Sequence, residues 1–559
     1  LSSWNFAEVY EAVAEAIPDS PCQVQGDRVV SWADFDRRAD ALAADLLEAG
    51  LGQQSKVAAY LYNGPEYLET YLAAFKAGLV PLNTNYRYGP DEVAYLLDNA
   101  DAEAIIFHAS LSGLIEQIRP RLSSVKRWYV VNDPEGTEGA ERTEGAQRAS
   151  RSDGISPVPD WAVPYEEVVS RSTGRTVASW GRGPDDLLLL YTGGTTGMPK
   201  GVMWRQHDLF NVLGGGGNPI LGIPPAADVE ELKSRVSLGP GLRMLPVCPL
   251  MHGTGQFSSL IAMNTGGCIV TLEGHSFDPA SVWRTVERDA VNALIIVGDA
   301  FARPLLAALD ADPGRWDISS LRLISSSGVM WSHDVKAGLL RHQPAMVLFD
   351  SFGSSEAVGL GASTSTGGSA ASTAQFQLGE RVRVLTEDGR QVEPGSGETG
   401  MVAIGGWIPL GYYKDPVKSA STFRTFEGER YSVPGDFATV NADGTIHLLG
   451  RGSVCINTGG EKVYPEEVEE ALKEHASVAD AACVGLPDER FGEVICAVIQ
   501  PAEGAVIDPD TLSEHVRARL ARYKTPRRYV EVADLGRSPA GKVDYAALRR
   551  LAAEAVAAG

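Results

Sequence analysis

The sequence predicts an α/β protein, with a large N-terminal domain of layered sheets, a β-rich lobe within it, and a small mobile C-terminal α+β domain. Three observations carry this. Helical patterns alternate with short apolar runs over the first 110 residues, and apolar runs ending in small or polar residues return from residue 185. Between Arg381 and Arg451 the pattern changes to short alternating strands with turn signals. At 559 residues the chain is also too long for one compact core.

In chain order, residues 6–17, 32–49 and 66–77 have helical spacing, while 56–62 and 104–107 have the length and apolarity of strands. Between Asp133 and Pro159 the composition turns to Gly, Ser, Glu and Arg, with tandem hexamers at 137–142 and 143–148. Such a stretch buries too little apolar surface to offset its ordering entropy and reads as an exposed loop. Apolar runs at 187–190, 293–297, 321–324 and 346–349 follow, and open α/β sheets place their ligands at the ends of such strands. Glu387-Asp388-Gly389 and Asn441-Ala442-Asp443-Gly444 mark turns in the β-rich lobe. After Gly450-Arg451-Gly452 a compact unit begins: Pro465-Glu466-Glu467 opens a helix with carboxylates in its first turn. Strands at 481–484 and 494–500 and an amphipathic helix at 511–521 complete it. The expected domains are therefore 1–451 and 452–559, joined at a Gly-rich point that permits motion.

Lys plus Arg number 49 and Asp plus Glu 72, a net charge of −23, so the mean field repels nucleic acid and anionic membranes. Small anions still bind where backbone N–H groups and a few cations converge. Cys22, Cys248, Cys268, Cys455, Cys483 and Cys496 show no metal-ligand spacing and read as reduced thiols. No apolar run reaches about 18 residues and no signal pattern opens the chain, so a cytoplasmic protein without a membrane span is expected.

The run at 187–190 leads into Tyr191-Thr192-Gly193-Gly194-Thr195-Thr196-Gly197-Met198-Pro199-Lys200-Gly201-Val202. Glycines let successive N–H groups converge on an anion, threonines add donors and lysine adds a full charge, a combination suited to polyphosphate. The spacing is neither a Walker A nor a GxGxxG. It resembles the signature loop of the adenylate-forming superfamily of acyl-CoA synthetases, peptide-synthetase adenylation domains and luciferases, whose usual form has Ser where Gly193 stands.

Further stations of the same pattern follow in order. Phe352-Gly353-Ser354-Ser355-Glu356 resembles the station whose aromatic ring lies on adenine and whose Glu holds Mg²⁺. Ser326-Ser327-Gly328-Val329-Met330 resembles the segment whose backbone borders adenine, and Tyr431-Ser432-Val433-Pro434-Gly435-Asp436 the station whose Asp takes the ribose hydroxyls. Gly450-Arg451 resembles the domain joint, with Arg451 near the ribose; Val454 and Asn457 depart from the residues usual beyond it. Thr458-Gly459-Gly460-Glu461-Lys462 looks like the loop shaping the pantetheine channel, and Arg537-Ser538-Pro539-Ala540-Gly541-Lys542 like the loop whose Lys bridges the acyl carboxylate and the α-phosphate. His252 matches the gate between acyl pocket and CoA tunnel.

The resemblance implies an AMP-forming acid–thiol ligase that uses ATP, Mg²⁺ and coenzyme A. Thr192, Gly193, Gly194, Thr195, Thr196, Gly197 and Lys200 would bind phosphate, with Glu356 as metal ligand and Lys542 and His252 at the reacting groups. Motif wording at 191–210, 297–304 and 450–469 is similar to actinobacterial synthetases for steroid side-chain and long-chain acids. A medium-chain, branched or aryl acid, or an acyl-AMP ligase serving a carrier protein, stays open. With no carrier module in the 17 residues after Lys542, CoA is the expected acceptor. The expected partners are the acid, ATP and CoA, with a homodimer left open. Gly214-Gly215-Gly216-Gly217 reads either as room for a bulky acyl group or as a loop.

Overall fold

The computed structural model describes residues 3–132, 159–193, 198–218, 222–329, 331–367, 375–451, 454–458, 461–488, 491–538 and 541–558. The loop expected between Asp133 and Pro159 lies outside them except for its last residue.

Two large sheets and one small one organise the chain. The first has a parallel centre of Cys268–Thr271, Arg243–Pro246, Ala293–Ile296, Leu323–Ser327 and Val347–Ser354. Ala293–Ile296 at its middle is a continuous apolar run because both of its faces are covered. Ala357–Ser365 returns antiparallel, and Gln375–Leu378 links it to Ile446–Arg451, Asp436–Val440 and Thr399–Gly405 of the β-rich lobe. Gly389 and Gly444 close turns of the lobe with φ of 90° and 83°, the left-handed region that glycine enters without strain.

The second sheet sets Arg127–Val131, Ala102–His108, Lys56–Tyr60, Val80–Asn83 and Leu187–Thr192 in parallel. Lys200–Arg205 and the two-residue Gly411–Tyr412 extend its edge in antiparallel sense. Its helices start where local chemistry dictates. Asn5 accepts from the Glu8 N–H ahead of Phe6–Ala16, Ser31 accepts from the Asp34 N–H ahead of Trp32–Glu48, and Pro65 opens Pro65–Lys76. Their apolar faces meet in one core, where Phe6 stacks on Phe75 with centroids 5.1 Å apart.

The small sheet is built on the hairpin of Val478–Asp488 and Gly492–Pro501, with Arg528–Glu531 parallel to the second strand. Alternation sorts its residues: Ala481, Cys483, Ile495 and Ala497 pack under Pro465–Lys473 and Pro509–Arg517, while Ala482, Val484, Val494 and Cys496 pack under Tyr545–Ala558. The helix expected at 511–521 thus starts at Pro509 and ends at Arg517, after which Arg522–Lys524 forms a single 3₁₀ turn.

The glycine run at 214–217 proves to be a packed turn. A Cβ at Gly216 would lie 2.9 Å from Leu232 Cδ1, and one at Gly217 2.3 Å from the Pro224 carbonyl oxygen, so no room for an acyl group opens there.

Candidate active site

The predicted phosphate loop joins the antiparallel strands Leu187–Thr192 and Lys200–Arg205, with Thr192 directly opposite Lys200. Gly194, Thr195, Thr196 and Gly197 lie outside the described residues. At Gly193 a Cβ would stand 2.8 Å from the Tyr88 hydroxyl, so the phenol fills the space a serine would need. The strand leading into the loop is fixed by buried Asn83, which accepts from the Tyr191 N–H at 2.6 Å and donates to the Tyr191 carbonyl at 2.8 Å. Lys200 is ion-paired with Asp415, and this contact holds the Asp415 carboxyl below the usual range.

On the first sheet, Ser327 is the register partner of Ser351, which brings Ser327 and Gly328 beside Phe352 at neighbouring strand ends. The Phe352 ring lies 5.5 Å from that of Phe376, half-facing it. Gly353 passes close to the returning strand, where a Cβ would be 3.0 Å from the Ala357 carbonyl oxygen. Ser355 and Glu356 form the turn between the two strands. The Ser355 carbonyl accepts from the Trp204 indole at 3.0 Å, the Glu356 carbonyl from Ser432 at 2.7 Å, and Glu356 Oε1 from the Tyr412 hydroxyl at 2.7 Å. Among the described residues no group of three or more His, Cys, Asp or Glu could hold a metal by itself. A lone oriented carboxylate fits Mg²⁺, which takes one or two carboxylates and completes its shell with substrate phosphates and water.

His252 occupies the position before the helix Gly253–Met263, where its carbonyl accepts from the Gln256 N–H at 2.9 Å. The loop before it is clamped from the other sheet: Asn63 donates to the Cys248 carbonyl at 3.1 Å and accepts from the Leu250 N–H at 2.7 Å, and Asn83 donates to the Met251 carbonyl at 2.6 Å. Gly255 is required by closeness, since a Cβ there would meet the Pro249 carbonyl oxygen at 2.5 Å. A Cβ at Gly253 would lie 3.6 Å from Ser355 Oγ, so His252 neighbours the Glu356 turn. Burial, then the charges of Lys542 and Arg87, push the His252 imidazole down to about 4, leaving it neutral at physiological pH. Beside Pro249, the rings of Tyr62, Tyr86 and Phe301 share a crevice with the polar side chains of Asn63, Arg87 and His275.

Buried Asp436 stands opposite Arg451 in the antiparallel ladder, so these two stations share one step of the sheet. Gly459 and Gly460 lie outside the described residues. Lys542 stands on a tight turn in which the Gly541 N–H donates to the Ser538 carbonyl at 2.7 Å and the Lys542 N–H to Ser538 Oγ at 3.1 Å. Arg537 ties this turn to the small sheet, donating to Asp480 at 2.8 Å and to the Gly541 carbonyl at 3.0 Å. Burial alone would raise the Asp480 carboxyl, but Arg537 outweighs it and holds the group below its usual range. A Cβ at Gly541 would lie 3.2 Å from Ala300 and 3.3 Å from Val329, which places the turn against the large unit.

The described site residues named from sequence are carried by both large sheets and by the small unit. Asn63, Asn83, Tyr88, Tyr412, Asp415 and the Arg537–Asp480 pair were not among them as holders of the site. Asn63 and Asn83 do carry a sequence signal, an Asn closing an apolar run at a strand end, where loops approach ligands.

A model of the AMP-binding enzyme family matches residues 10–413, and one of the AMP-binding enzyme C-terminal domain matches residues 467–542. The chain is 40% identical over 543 residues to a medium/long-chain-fatty-acid–CoA/3-oxocholest-4-en-26-oate–CoA ligase of Mycobacterium marinum, covering 97% of this chain and 95% of the relative. It is 39% identical over 549 residues to a 3-oxocholest-4-en-26-oate–CoA ligase of Rhodococcus rhodochrous, covering 97% and 94%. Its fold is similar to that of an anthranilate CoA ligase crystallised with anthranoyl-AMP, with a TM-score of 0.82, 21% identity, and coverage of 100% of this chain and 99% of that one.

Proposed function

From the premise that this chain belongs to the AMP-binding enzyme family, we propose that it is an ATP-dependent acyl-CoA ligase acting on a medium- or long-chain or steroid side-chain carboxylic acid. The substrate carboxylate oxygen attacks the α-phosphorus in line as the bond to pyrophosphate breaks, giving acyl-AMP. The CoA sulfur then attacks the acyl carbonyl, loses its thiol proton, and AMP leaves. Both steps need positioning and neutralisation of developing charge, and neither needs a protein nucleophile.

In this reading Thr192 through Gly197 and Lys200 hold the phosphates, and Ser327, Gly328, Phe352, Gly353 and Ser355 border the adenine. Asp436 accepts the ribose hydroxyls, with Arg451 beside it, and Gly459 and Gly460 border the pantetheine. Glu356 would hold Mg²⁺, which when bound would supply charge neutralisation at the phosphate oxygens. Lys542 draws the two anionic reactants together, and neutral His252 stands at the gate without adding a charge there. The division of the chain near residue 452 belongs to the same proposal: withdrawing the small unit removes Lys542 and opens the way for CoA.

The observation that supports the reading is that the turn bearing Lys542 comes from a separately cored unit and lies against Ala300 and Val329, next to the Ser327-Gly328 segment. The acid class is supported by the relatives' substrates at 39–40% identity over nearly the whole chain. Among the described residues no helix is long and apolar enough to cross a membrane, and we assign a cytoplasmic enzyme with small-molecule partners and no nucleic acid.

Acid-dependent ATP–pyrophosphate exchange over C8 to C18 acids and steroid side-chain acids, followed by mass detection of the thioester, tests the proposal. Exchange without thioester would reject CoA as acceptor. Lys542→Ala is expected to abolish exchange while sparing thioester formation from supplied acyl-AMP, and equal loss of both half-reactions would reject the assigned role.

A further inference from the structure

The two residues proposed to meet the phosphates and the metal from the hairpin side, Lys200 and Glu356, are held by a single short segment. Gly411–Tyr412 pairs antiparallel with the strand that begins at Lys200, with Tyr412 opposite Val202. The pairing is extended by the Leu410 N–H donating to the Met203 carbonyl at 2.9 Å and the Tyr413 N–H to the Gly201 carbonyl at 2.8 Å. From this one segment the Tyr412 hydroxyl donates to Glu356 Oε1 at 2.7 Å, and the Asp415 carboxylate pairs with the Lys200 ammonium.

The holder is itself fixed. Asp415 Oδ1 accepts from the Lys418 N–H at 2.9 Å as the cap of Pro416–Thr422, which leaves Oδ2 for Lys200. Ser419 Oγ accepts from the Tyr412 N–H at 2.8 Å and donates to the Asp415 carbonyl at 2.7 Å, stitching both residues to the same turn. The Tyr412 ring is buried and packs 5.9 Å from Phe423. An ammonium has three donors and a carboxylate about four acceptor positions, so each of Lys200 and Glu356 keeps capacity for ligand while anchored.

We propose that Tyr412 and Asp415 are positioning residues of the nucleotide site: Asp415 orients Lys200 for the phosphate oxygens, and Tyr412 orients Glu356 for Mg²⁺. Fixing both through one segment sets the spacing between cation and carboxylate before nucleotide arrives, so that spacing costs no ordering on binding. The inference rests on the reading of Lys200 and Glu356 given above.

Calorimetric binding of α,β-methylene-ATP to the full chain, over a series of Mg²⁺ concentrations and with the melting temperature of each variant, tests it without turnover. Asp415→Asn is expected to weaken nucleotide binding about tenfold with or without Mg²⁺, as loss of a charge-assisted anchor does, and Asp415→Glu to recover part of it. Tyr412→Phe keeps the ring. It is expected to leave affinity at saturating Mg²⁺ near that of the unaltered protein and to raise the half-saturating Mg²⁺ concentration about threefold. Lys200→Met and Glu356→Gln are the controls. If both controls weaken binding while Asp415→Asn and Tyr412→Phe bind as the unaltered protein does, the positioning role is overturned, and a lower melting temperature with unchanged affinity overturns it equally. If the controls also bind normally, the reading of Lys200 and Glu356 is what has failed.

Discussion

At His252, burial and two neighbouring cations act in the same direction, and the imidazole falls to about 4. Because the folded value lies below the unfolded value near 6.5, the unfolded state binds more protons between about pH 4 and about pH 6.5. The stability contributed by neutral His252 is therefore complete above that window and is lost as pH falls through it. Removing Lys542 takes one of the two cations away, so Lys542→Ala should move the His252 titration upward toward 6.5, read by NMR of the ring. An unmoved titration would refute the proximity of the two side chains. Asn83 offers a sharper structural test, since it donates to the carbonyls of both Tyr191 and Met251. Asn83→Asp conserves shape but removes both donations, and chemical denaturation should show a loss of about 2–4 kcal/mol together with slower pyrophosphate exchange. Stability unchanged within a few tenths of a kcal/mol would contradict the clamp.

The helix Gly253–Met263 shows packing overriding propensity. Alanine is favoured over glycine in a helix by about 1 kcal/mol, yet at position 255 its Cβ would press on the Pro249 carbonyl oxygen at 2.5 Å. Gly255→Ala is thus expected to lower the melting temperature and the exchange rate together, because backbone must shift beside His252. A more stable, fully active variant would show that the loop yields without cost. The apolar and strand-length patterns made most elements of the site legible: the runs at 187–190 and 293–297 appear as Leu187–Thr192 and Ala293–Ile296. The two-residue strand Gly411–Tyr412 was not, since nothing so short has a period, and it exists because Lys200–Arg205 presents an edge to it.

The small unit has its own apolar clusters on both faces of its sheet and meets the large unit at the turn bearing Lys542, at the Tyr464 ring beside Phe437, and at Glu466 beside Gly450. We propose that the two units alternate between two positions on this seam. Cysteines replacing Ala300 and Gly541 would start from a Cβ separation of 3.2 Å, a few tenths of an ångström inside the range disulfides occupy. When oxidised, Ala300→Cys/Gly541→Cys should still form acyl-AMP in a single turnover and fail to form thioester until reductant is added. Undiminished thioester formation in the oxidised protein would show that the units need not separate.

By itself the sequence determined the fold class, the order of the stations and the chemistry they suit. Helical and strand periods, turn glycines and the Thr–Gly–Lys loop are local properties, legible within a few residues. Tertiary structure decided what holds those stations in place. Tyr412 meets Glu356 across 56 positions of chain, and Asn83 meets Met251 across 168. Periodicity reports that a residue is buried, whereas a buried polar group must find a partner wherever the fold brings one, and only the folded chain shows which partner that is. The same holds for Gly193 and for the run at 214–217, whose meaning lay in the Tyr88 hydroxyl and in Pro224 and Leu232 filling the space a side chain would take.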